Sequence, residues 1–242
     1  MRPVVRGDSP QAVDFVNYRD AFGELAARIG MFCSYCERRI ATQLAVEHIQ
    51  PKNGPHGRPD LERRWENFLL GCVNCNSTKG AKDVVLANLL LPDRDNTAAA
   101  YEYTMDGKVK LAAALTATQS TLATNTLTLV GLDKRLNQVL DSNGQLVAVD
   151  RVAQRMEVWL IAQDSKDDLQ ANPTDTFRRQ IARTATGHGF FSIWMTVFQN
   201  DPTVRKLLTK EFAGTATDCF DPTTTQIITP RPANGLPDGS KL

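Results

Sequence analysis

Two Cys-x-x-Cys pairs constrain this chain more than any other feature of its sequence. Cys33 and Cys36 form the first pair, Cys72 and Cys75 form the second, and a fifth cysteine, Cys219, lies far away. Four thiolates at this spacing are typical of a tetrahedral zinc site with Zn–S distances of ~2.3 Å. A redox Cys-x-x-Cys normally occurs once and beside a β-α-β pattern, which this sequence lacks. The spacing therefore predicts a structural Zn²⁺ site that ties the two pairs together.

The composition argues against a disordered chain and against a strongly basic one. Apolar residues make up 42% of the 242 residues, which is enough for a real hydrophobic core. Lysine and arginine total 28 against 27 acidic residues, so any nucleic acid must bind at a local basic patch. No run of about eighteen apolar residues occurs, and the N-terminus lacks the apolar run of a secretory signal. We therefore expect a soluble, cytoplasmic protein with no membrane association.

Several residues between and after the cysteine pairs suit metal-assisted hydrolysis of a phosphodiester. Glu47 and His48 lie in one short apolar run, Asn67 precedes another, and Asn76 follows the second cysteine pair. Histidine, with an unperturbed pKa of ~6.5, suits a general base that deprotonates water. Glutamate and asparagine oxygens suit Mg²⁺ or Mn²⁺. His48 is therefore the candidate base, and Glu47 and Asn76 are the candidate ligands of a catalytic cation.

Local geometry sets conditions on this candidate site. Neighbouring residues of a regular strand point to opposite sides, so Glu47 and His48 can both face one metal ion only if the strand bends. Asn67 is expected to bond the backbone near His48 and so to orient its ring. Three lysines are the candidate contacts to substrate phosphates: Lys52, Lys79 and Lys82.

Each of these residues also has a purely structural interpretation. His48 fits a packed, hydrogen-bonded histidine, and Glu47 fits an ordinary exposed charge. Asn76 fits a helix N-cap, a role that can coexist with metal binding. For Lys79 and Lys82, a solvated helix face explains the sequence equally well.

The strings CSYC, LAVEHIQPK and WENFLLGCVNCNSTKG resemble the HNH endonucleases of the ββα-metal fold, in the variant whose four cysteines bind zinc. The resemblance covers about a fifth to a quarter of the chain. It implies that His48 is the general base and Glu47 the acidic metal ligand, at a position where aspartate is more common. It also implies that Asn67 takes the role of the middle asparagine and that Asn76 replaces the final histidine as metal ligand.

A second resemblance extends to both sides of this segment. The strings RPVVRG, LLPDRDNT at residues 90–97 and GTATDCFD are similar to bacterial HNH proteins encoded beside an ATPase in Septu-type and retron-linked phage defence. This resemblance implies a role in antiviral defence and an ATPase partner protein. It further implies a helical C-terminal region used for docking, with the nuclease inactive until the partner signals.

The order of elements predicts an α+β protein that is mostly helical, with a ββα-metal core that carries the four-cysteine zinc site. We expect a nuclease domain at residues 1–95, which begins with a helix at residues 11–30. A mainly helical domain is expected at residues 96–229, followed by a flexible tail at residues 230–242.

Within the second domain, Asp106-Gly107 predicts the turn of a short hairpin. Apolar residues at helical spacing predict helices at residues 117–140, at residues 149–163 and around residues 190–198. The first of these should break near Gly131, and a further helix should begin at Pro202.

Three functions fit these observations. The leading hypothesis is a DNA endonuclease with little sequence specificity. The second is an RNA endonuclease, acting for instance on tRNA. The sequence leaves this open because the candidate site would contact the phosphodiester, which DNA and RNA share, and not the sugar. The third is a non-catalytic, zinc-stabilised module for nucleic-acid binding or assembly. The presence of His48 with its three polar neighbours argues against the third, since a scaffold has no need of them.

Overall fold

The computed structural model describes residues 1–134, 139–140, 146–147 and 151–242. These residues form a mostly helical α+β protein, as predicted, with seven α-helices and three two-stranded antiparallel sheets in the described part. Among the described residues, no helix combines the length and the apolarity needed to cross a membrane.

The cysteine pairs enclose a small strand–strand–helix unit. Strand β1 (Ala45–His48) pairs with strand β2 (Phe68–Gly71), and helix α2 (Val73–Lys79) follows at once. The pairing is regular from Ala45 opposite Gly71 to His48 opposite Phe68. The two strands coincide with the two short apolar runs of the sequence, and Cys72 is the N-cap residue of α2.

The N-terminal helix is shorter than predicted. A 3₁₀ turn at Tyr18–Ala21 leads into helix α1 (Phe22–Ile29), whereas the preceding residues of the predicted helix are not helical. The side chain of Asn17 accepts a hydrogen bond from the amide of Arg19 and so caps the first turn at this point. Phe15 still reaches the core, because it stacks on Trp65 at a centroid distance of 6.0 Å. The apolar spacing at residues 11–30 correctly predicted that Phe15 is buried. It did not correctly predict a helix over the whole segment.

The predicted hairpin is present in the second half of the chain. Strands β3 (Tyr101–Tyr103) and β4 (Val109–Leu111) pair across a turn that contains Gly107. This glycine has φ of +70°, and a Cβ added to it would lie 2.4 Å from the carbonyl oxygen of Val152. Only glycine satisfies both the backbone conformation and the close approach.

Five helices make up most of the remaining chain. They are α3 (Ala117–Leu129), α4 (Arg151–Ala171), α5 (Asp175–His188), α6 (Phe191–Val197) and α7 (Pro202–Glu211). Helix α5 packs on α7, and α4 packs on α6. Pro202 lies in the first turn of α7, as predicted.

The predicted helix at residues 117–140 is correct only over its first half. Helix α3 ends at Leu129, and the chain then turns at Gly131, whose φ is +64°. A short strand, β5 (Val139–Leu140), pairs instead with β6 (Leu146–Val147). Leu136 and Val149, which lie within the helices predicted at residues 117–140 and 149–163, are outside the described residues.

The core continues across the predicted domain boundary at residues 95 and 96. Buried apolar residues on both sides of it, such as Leu91 and Tyr101, belong to one cluster. The division into two domains stays a prediction.

The segment at residues 230–242, whose composition predicts flexibility, instead lies against the protein. The guanidinium group of Arg231 is buried and donates hydrogen bonds to the carbonyl oxygens of Pro92 and Val4, each at 3.1 Å. The amide of Lys241 donates to Asp95 Oδ1 at 2.9 Å. These bonds satisfy the polar groups of a segment with few apolar side chains, which explains why composition alone is misleading here.

We expect Arg231→Ala to lower the free energy of unfolding by about 1–3 kcal/mol, because two buried carbonyl groups lose their donor. Urea denaturation followed by circular dichroism would measure the change. The exposed Arg179→Ala is the matched control and should change stability little. Equal stability of the two variants would contradict a structural role for Arg231.

Candidate functional site

The four paired cysteines converge in the interior of the protein. Their Sγ atoms all lie within 4.8 Å of one another, none of them forms a disulfide, and all four side chains are buried. The sulfurs of Cys36 and Cys72 are 3.6 Å apart, close to the ~3.8 Å expected between sulfurs at ~2.3 Å from a tetrahedral zinc. The donor set and its spacing therefore fit a zinc ion.

The backbone around each pair explains how the sulfurs meet. After the first pair the chain turns back, with the amide of Glu37 donating to the carbonyl of Cys33 at 2.9 Å and Glu37 itself at φ of +64°. The second pair occupies the N-cap and the third residue of α2, where the helix dipole favours thiolates. The cluster thus joins the turn before β1 to the start of α2.

An arginine from the far half of the chain reaches this cluster. Arg151, the first residue of α4, donates a hydrogen bond from Nη1 to Cys75 Sγ at 3.1 Å and another to the carbonyl of Val130. A buried guanidinium offsets part of the negative charge of four thiolates. No feature of the local sequence indicates this contact, because it connects positions 76 residues apart.

His48, at the end of β1, is a buried residue with 8% of its surface exposed. Its Nε2 is 2.9 Å from the carbonyl oxygen of Glu62, and its ring contacts the rings of Tyr18 and Phe68 at centroid distances of 4.7 and 5.3 Å. A carbonyl only accepts hydrogen bonds, so Nε2 must carry a proton and Nδ1 keeps the lone pair. Burial lowers the pKa of His48, which favours the neutral ring at pH 7.

Asn67 holds the chain that follows His48, in agreement with the geometry expected from the sequence. Its Oδ1 accepts from the amide of Gln50 at 2.8 Å, and its Nδ2 donates to the carbonyls of Gln50 and Leu61 at 3.0 and 3.3 Å. Leu61 immediately precedes Glu62, whose carbonyl contacts the histidine ring. One side chain therefore connects both ends of the loop that surrounds His48.

Glu47 lies on the opposite face of β1 from His48. The strand pairs regularly through His48, so the bend that would turn both side chains toward one ion is absent from this structure. The Glu47 carboxylate passes over Gly71, where an added Cβ would lie 3.0 Å from the Glu47 Cβ. Burial raises the pKa of the carboxyl group, while the nearby Lys79 ammonium opposes this effect.

The position of Lys79 agrees neither with a contact to substrate phosphate nor with a solvated helix face, the two environments that the sequence suggests. Its Nζ lies 3.1 Å from Glu47 Oε1, and the side chains of Lys79 and Glu47 are only 2% and 1% exposed. Lys79 is therefore neither on a solvated face nor accessible to a phosphate in this conformation. The sequence cannot indicate this burial, because it depends on the carboxylate of Glu47, which lies 32 residues earlier in the chain.

The other predicted site residues lie at or near the surface. Asn76 is half-buried within α2, one turn before Lys79, and the N-cap interpretation is wrong because Cys72 has that position. The Asn76 side chain forms no hydrogen bond with the residues the structure describes. Lys52 pairs with Glu62 at 2.9 Å, and its ammonium lies 3.9 Å from the centroid of the Tyr18 ring. Lys82 is exposed beyond the end of α2.

The segment that holds these residues matches a known protein family. Residues 33–82 match the family model of the HNH endonucleases. The matched range includes the four cysteines, both strands and α2, so the resemblance to HNH endonucleases is confirmed for this part of the chain. The matched family consists of endonucleases, and the four clustered cysteines could hold a metal ion.

A second comparison gives a relative that is similar to part of this chain. A protein of Vibrio cholerae serotype O1 biovar El Tor, described as "Retron Vc95 putative HNH endonuclease", is 35% identical over 48 residues. The alignment covers 19% of this chain and 23% of the relative. Because it spans less than a quarter of that protein, the activity and the partners of the whole relative carry over only as proposals.

We expect the purified chain to contain about one zinc ion, bound by the four cysteines. Cys72→Ser should remove the metal and unfold the site, because a structural zinc contributes ~10–16 kcal/mol to small zinc domains. Cys219→Ser is the matched control, since this cysteine is also buried but lies outside the cluster. Elemental analysis together with circular dichroism would test this, and retention of zinc in Cys72→Ser would refute the assignment.

Proposed function

We propose that this protein is a metal-dependent endonuclease that hydrolyses phosphodiester bonds of DNA, with His48 as the general base. The observation that carries the proposal is the hydrogen bond between His48 Nε2 and the Glu62 carbonyl. It leaves Nδ1 with its lone pair free to accept a proton from water, and burial favours the neutral ring. Asn67 is a positioning residue, because it fixes both backbone segments beside the ring.

The proposed catalytic cation is Mg²⁺ or Mn²⁺, held by Glu47 and Asn76. Such an ion would supply charge stabilisation for the phosphate and for the leaving oxygen. Glu47 and Asn76 offer hard oxygen donors, and Mg²⁺ characteristically takes only one or two protein ligands and keeps several waters. The Glu47 carboxylate is buried, and the only group that the described residues place against its Oε1 is the Lys79 ammonium, at 3.1 Å. This assignment must accommodate two features: the ion pair of Glu47 with Lys79, and the position of Glu47 on the face of β1 opposite His48.

Substrate contact is proposed for Lys52 and Lys82. Lys52 lies over the Tyr18 ring, which in turn contacts His48, and Lys82 is exposed beyond the end of α2. Their charges suit phosphate groups of either DNA or RNA, so RNA, including tRNA, is the alternative substrate. Parallel digestion of double-stranded DNA, single-stranded DNA and tRNA by the same preparation would separate the two.

A non-catalytic assembly module is the second candidate function. The specific observation in its favour is that Lys79 already neutralises Glu47, a residue that a nuclease would use for metal binding. Nucleic-acid binding without any cleavage, in the presence of Mg²⁺ or Mn²⁺ and of any partner protein, would favour this module over the nuclease.

A role in bacterial antiviral defence is proposed from the retron-associated relative. An ATPase partner, which the sequence resemblance implies, is part of the same proposal. The identity of the genes beside this one would test it directly, because an adjacent ATPase gene is the expected arrangement.

His48→Ala should lower the rate of DNA cleavage by ~10²- to 10⁴-fold, the usual cost of removing a general base. Plasmid nicking with Mg²⁺ or Mn²⁺ would measure it. His188→Ala is the control, because this exposed histidine ends α5 and bonds only the backbone of its own helix among the described residues. Undiminished cleavage by His48→Ala would rule out the mechanism.

Asn67→Asp should lower cleavage by ~10- to 100-fold, as is typical for residues that orient a catalytic group. The substitution replaces an NH₂ donor with an oxygen that faces the carbonyls of Gln50 and Leu61. Asn53→Asp makes the same change at an exposed position of the same loop and should be neutral. A comparison of kcat at saturating DNA, with zinc content as a check of folding, distinguishes misorientation of His48 from loss of structure.

A further inference from the structure

The Glu47–Lys79 pair is a buried cation–carboxylate contact at the proposed metal site. We propose that Lys79 is the resident counter-cation of Glu47, and that a divalent ion binds there only by displacing the Lys79 ammonium from the carboxylate. The inference rests on the proposed function and adds a residue that sets the metal affinity of the site.

The burial of both groups explains why Lys79 occupies this position. A carboxylate that is almost fully removed from water requires a compensating charge, and Lys79 is the cation that the structure places against it. Lys79 is the last residue of α2 and is followed by Gly80, whose φ is +52°. The helix thus ends where its final side chain meets β1.

The ammonium and a divalent ion cannot share this carboxylate at low cost. Lys79 Nζ lies 3.1 Å from Glu47 Oε1, and Mg²⁺ binds carboxylate oxygens at ~2.0–2.1 Å. An ion bound to the same oxygen would lie about 4 Å from the ammonium, a distance at which like charges repel strongly outside bulk water. Metal binding is therefore coupled to movement of the lysine.

If a metal ion binds the Glu47 carboxylate, the Lys79 ammonium has few other polar contacts. Among the described residues, its only other polar contact is the carbonyl of the adjacent Gly80, at 3.5 Å. Asn76, the second proposed ligand, lies one turn before Lys79 on the same helix. Displacement of Lys79 and binding by Asn76 would therefore occur on one face of α2.

A purely structural role for the Glu47–Lys79 ion pair would have a different effect on metal affinity. If Lys79 only stabilises the fold, its removal lowers stability and leaves the affinity for divalent ions unchanged. If Lys79 competes with the metal, removal of its charge strengthens metal binding.

The test is a Mn²⁺ titration of the full, zinc-loaded chain, read from the electron paramagnetic resonance signal of free Mn²⁺. We expect Lys79→Gln to bind Mn²⁺ about tenfold more tightly than the unmodified protein, or better, which corresponds to about 1.4 kcal/mol. Lys79→Arg keeps the charge and should remain weak. Lys82→Gln makes the same charge change at an exposed position three residues later and should have little effect.

The outcomes separate this inference from the proposed function. Unchanged Mn²⁺ affinity in Lys79→Gln, with binding abolished in Glu47→Gln, would overturn the role of Lys79 and leave the metal site intact. Unchanged binding in Glu47→Gln would show instead that Glu47 is not a ligand, and would overturn both.

A second measurement needs no variant and applies if Lys79→Gln does not fold. Acetylation by an amine-specific reagent, read by mass spectrometry, should leave Lys79 of the unmodified protein protected without divalent ions, because it is buried. Saturating Mn²⁺ should make Lys79 reactive and leave Lys82 unchanged. Continued protection of Lys79 at saturating Mn²⁺ would overturn the proposal.

Discussion

The convergence of four cysteine sulfurs determines the geometry of the candidate nuclease site. Strands β1 and β2 have four residues each and α2 has seven, lengths at which a two-stranded sheet or a helix is marginal in isolation. One cysteine pair precedes β1 and the other opens α2, so the cluster links these elements at the ends nearest to each other. The relative positions of His48 and Asn76 follow from that link.

The surroundings of His48 depend on backbone groups more than on side chains. The Glu62 carbonyl selects the tautomer of the ring, and Asn67 ties the chain on both sides of the intervening loop. Much of that loop is exposed and rich in proline and glycine. A polar side chain buried beneath an exposed loop gives the histidine a defined orientation that the loop alone would not provide.

The sequence predicts the parts of this site that depend on local spacing. Cysteine spacing predicted the cluster, and Asn67 was placed correctly beside the chain that follows His48. The burial of Lys79 and the contact of Arg151 with Cys75 were missed, because each depends on a partner distant in the chain. The Glu62 carbonyl was missed for another reason, since a backbone group leaves no signature in residue type.

The sequence also predicted some features of the fold correctly and others incorrectly. Apolar periodicity located buried side chains such as Phe15, but the helical conformation starts only at the 3₁₀ turn that Asn17 caps. The composition of residues 230–242 indicated flexibility, whereas specific hydrogen bonds, including those of Arg231, hold the segment in place. Single polar contacts overrode the average tendency of the sequence in both cases.

The contact of Arg151 with Cys75 has a consequence for dissecting this protein. The guanidinium belongs to α4, more than fifty residues beyond the end of the family match at residue 82. A fragment cut at residue 95 retains all four sulfurs but loses the cation that neutralises one of them. The segment that matches the HNH family therefore does not contain every group that contacts the cysteine cluster.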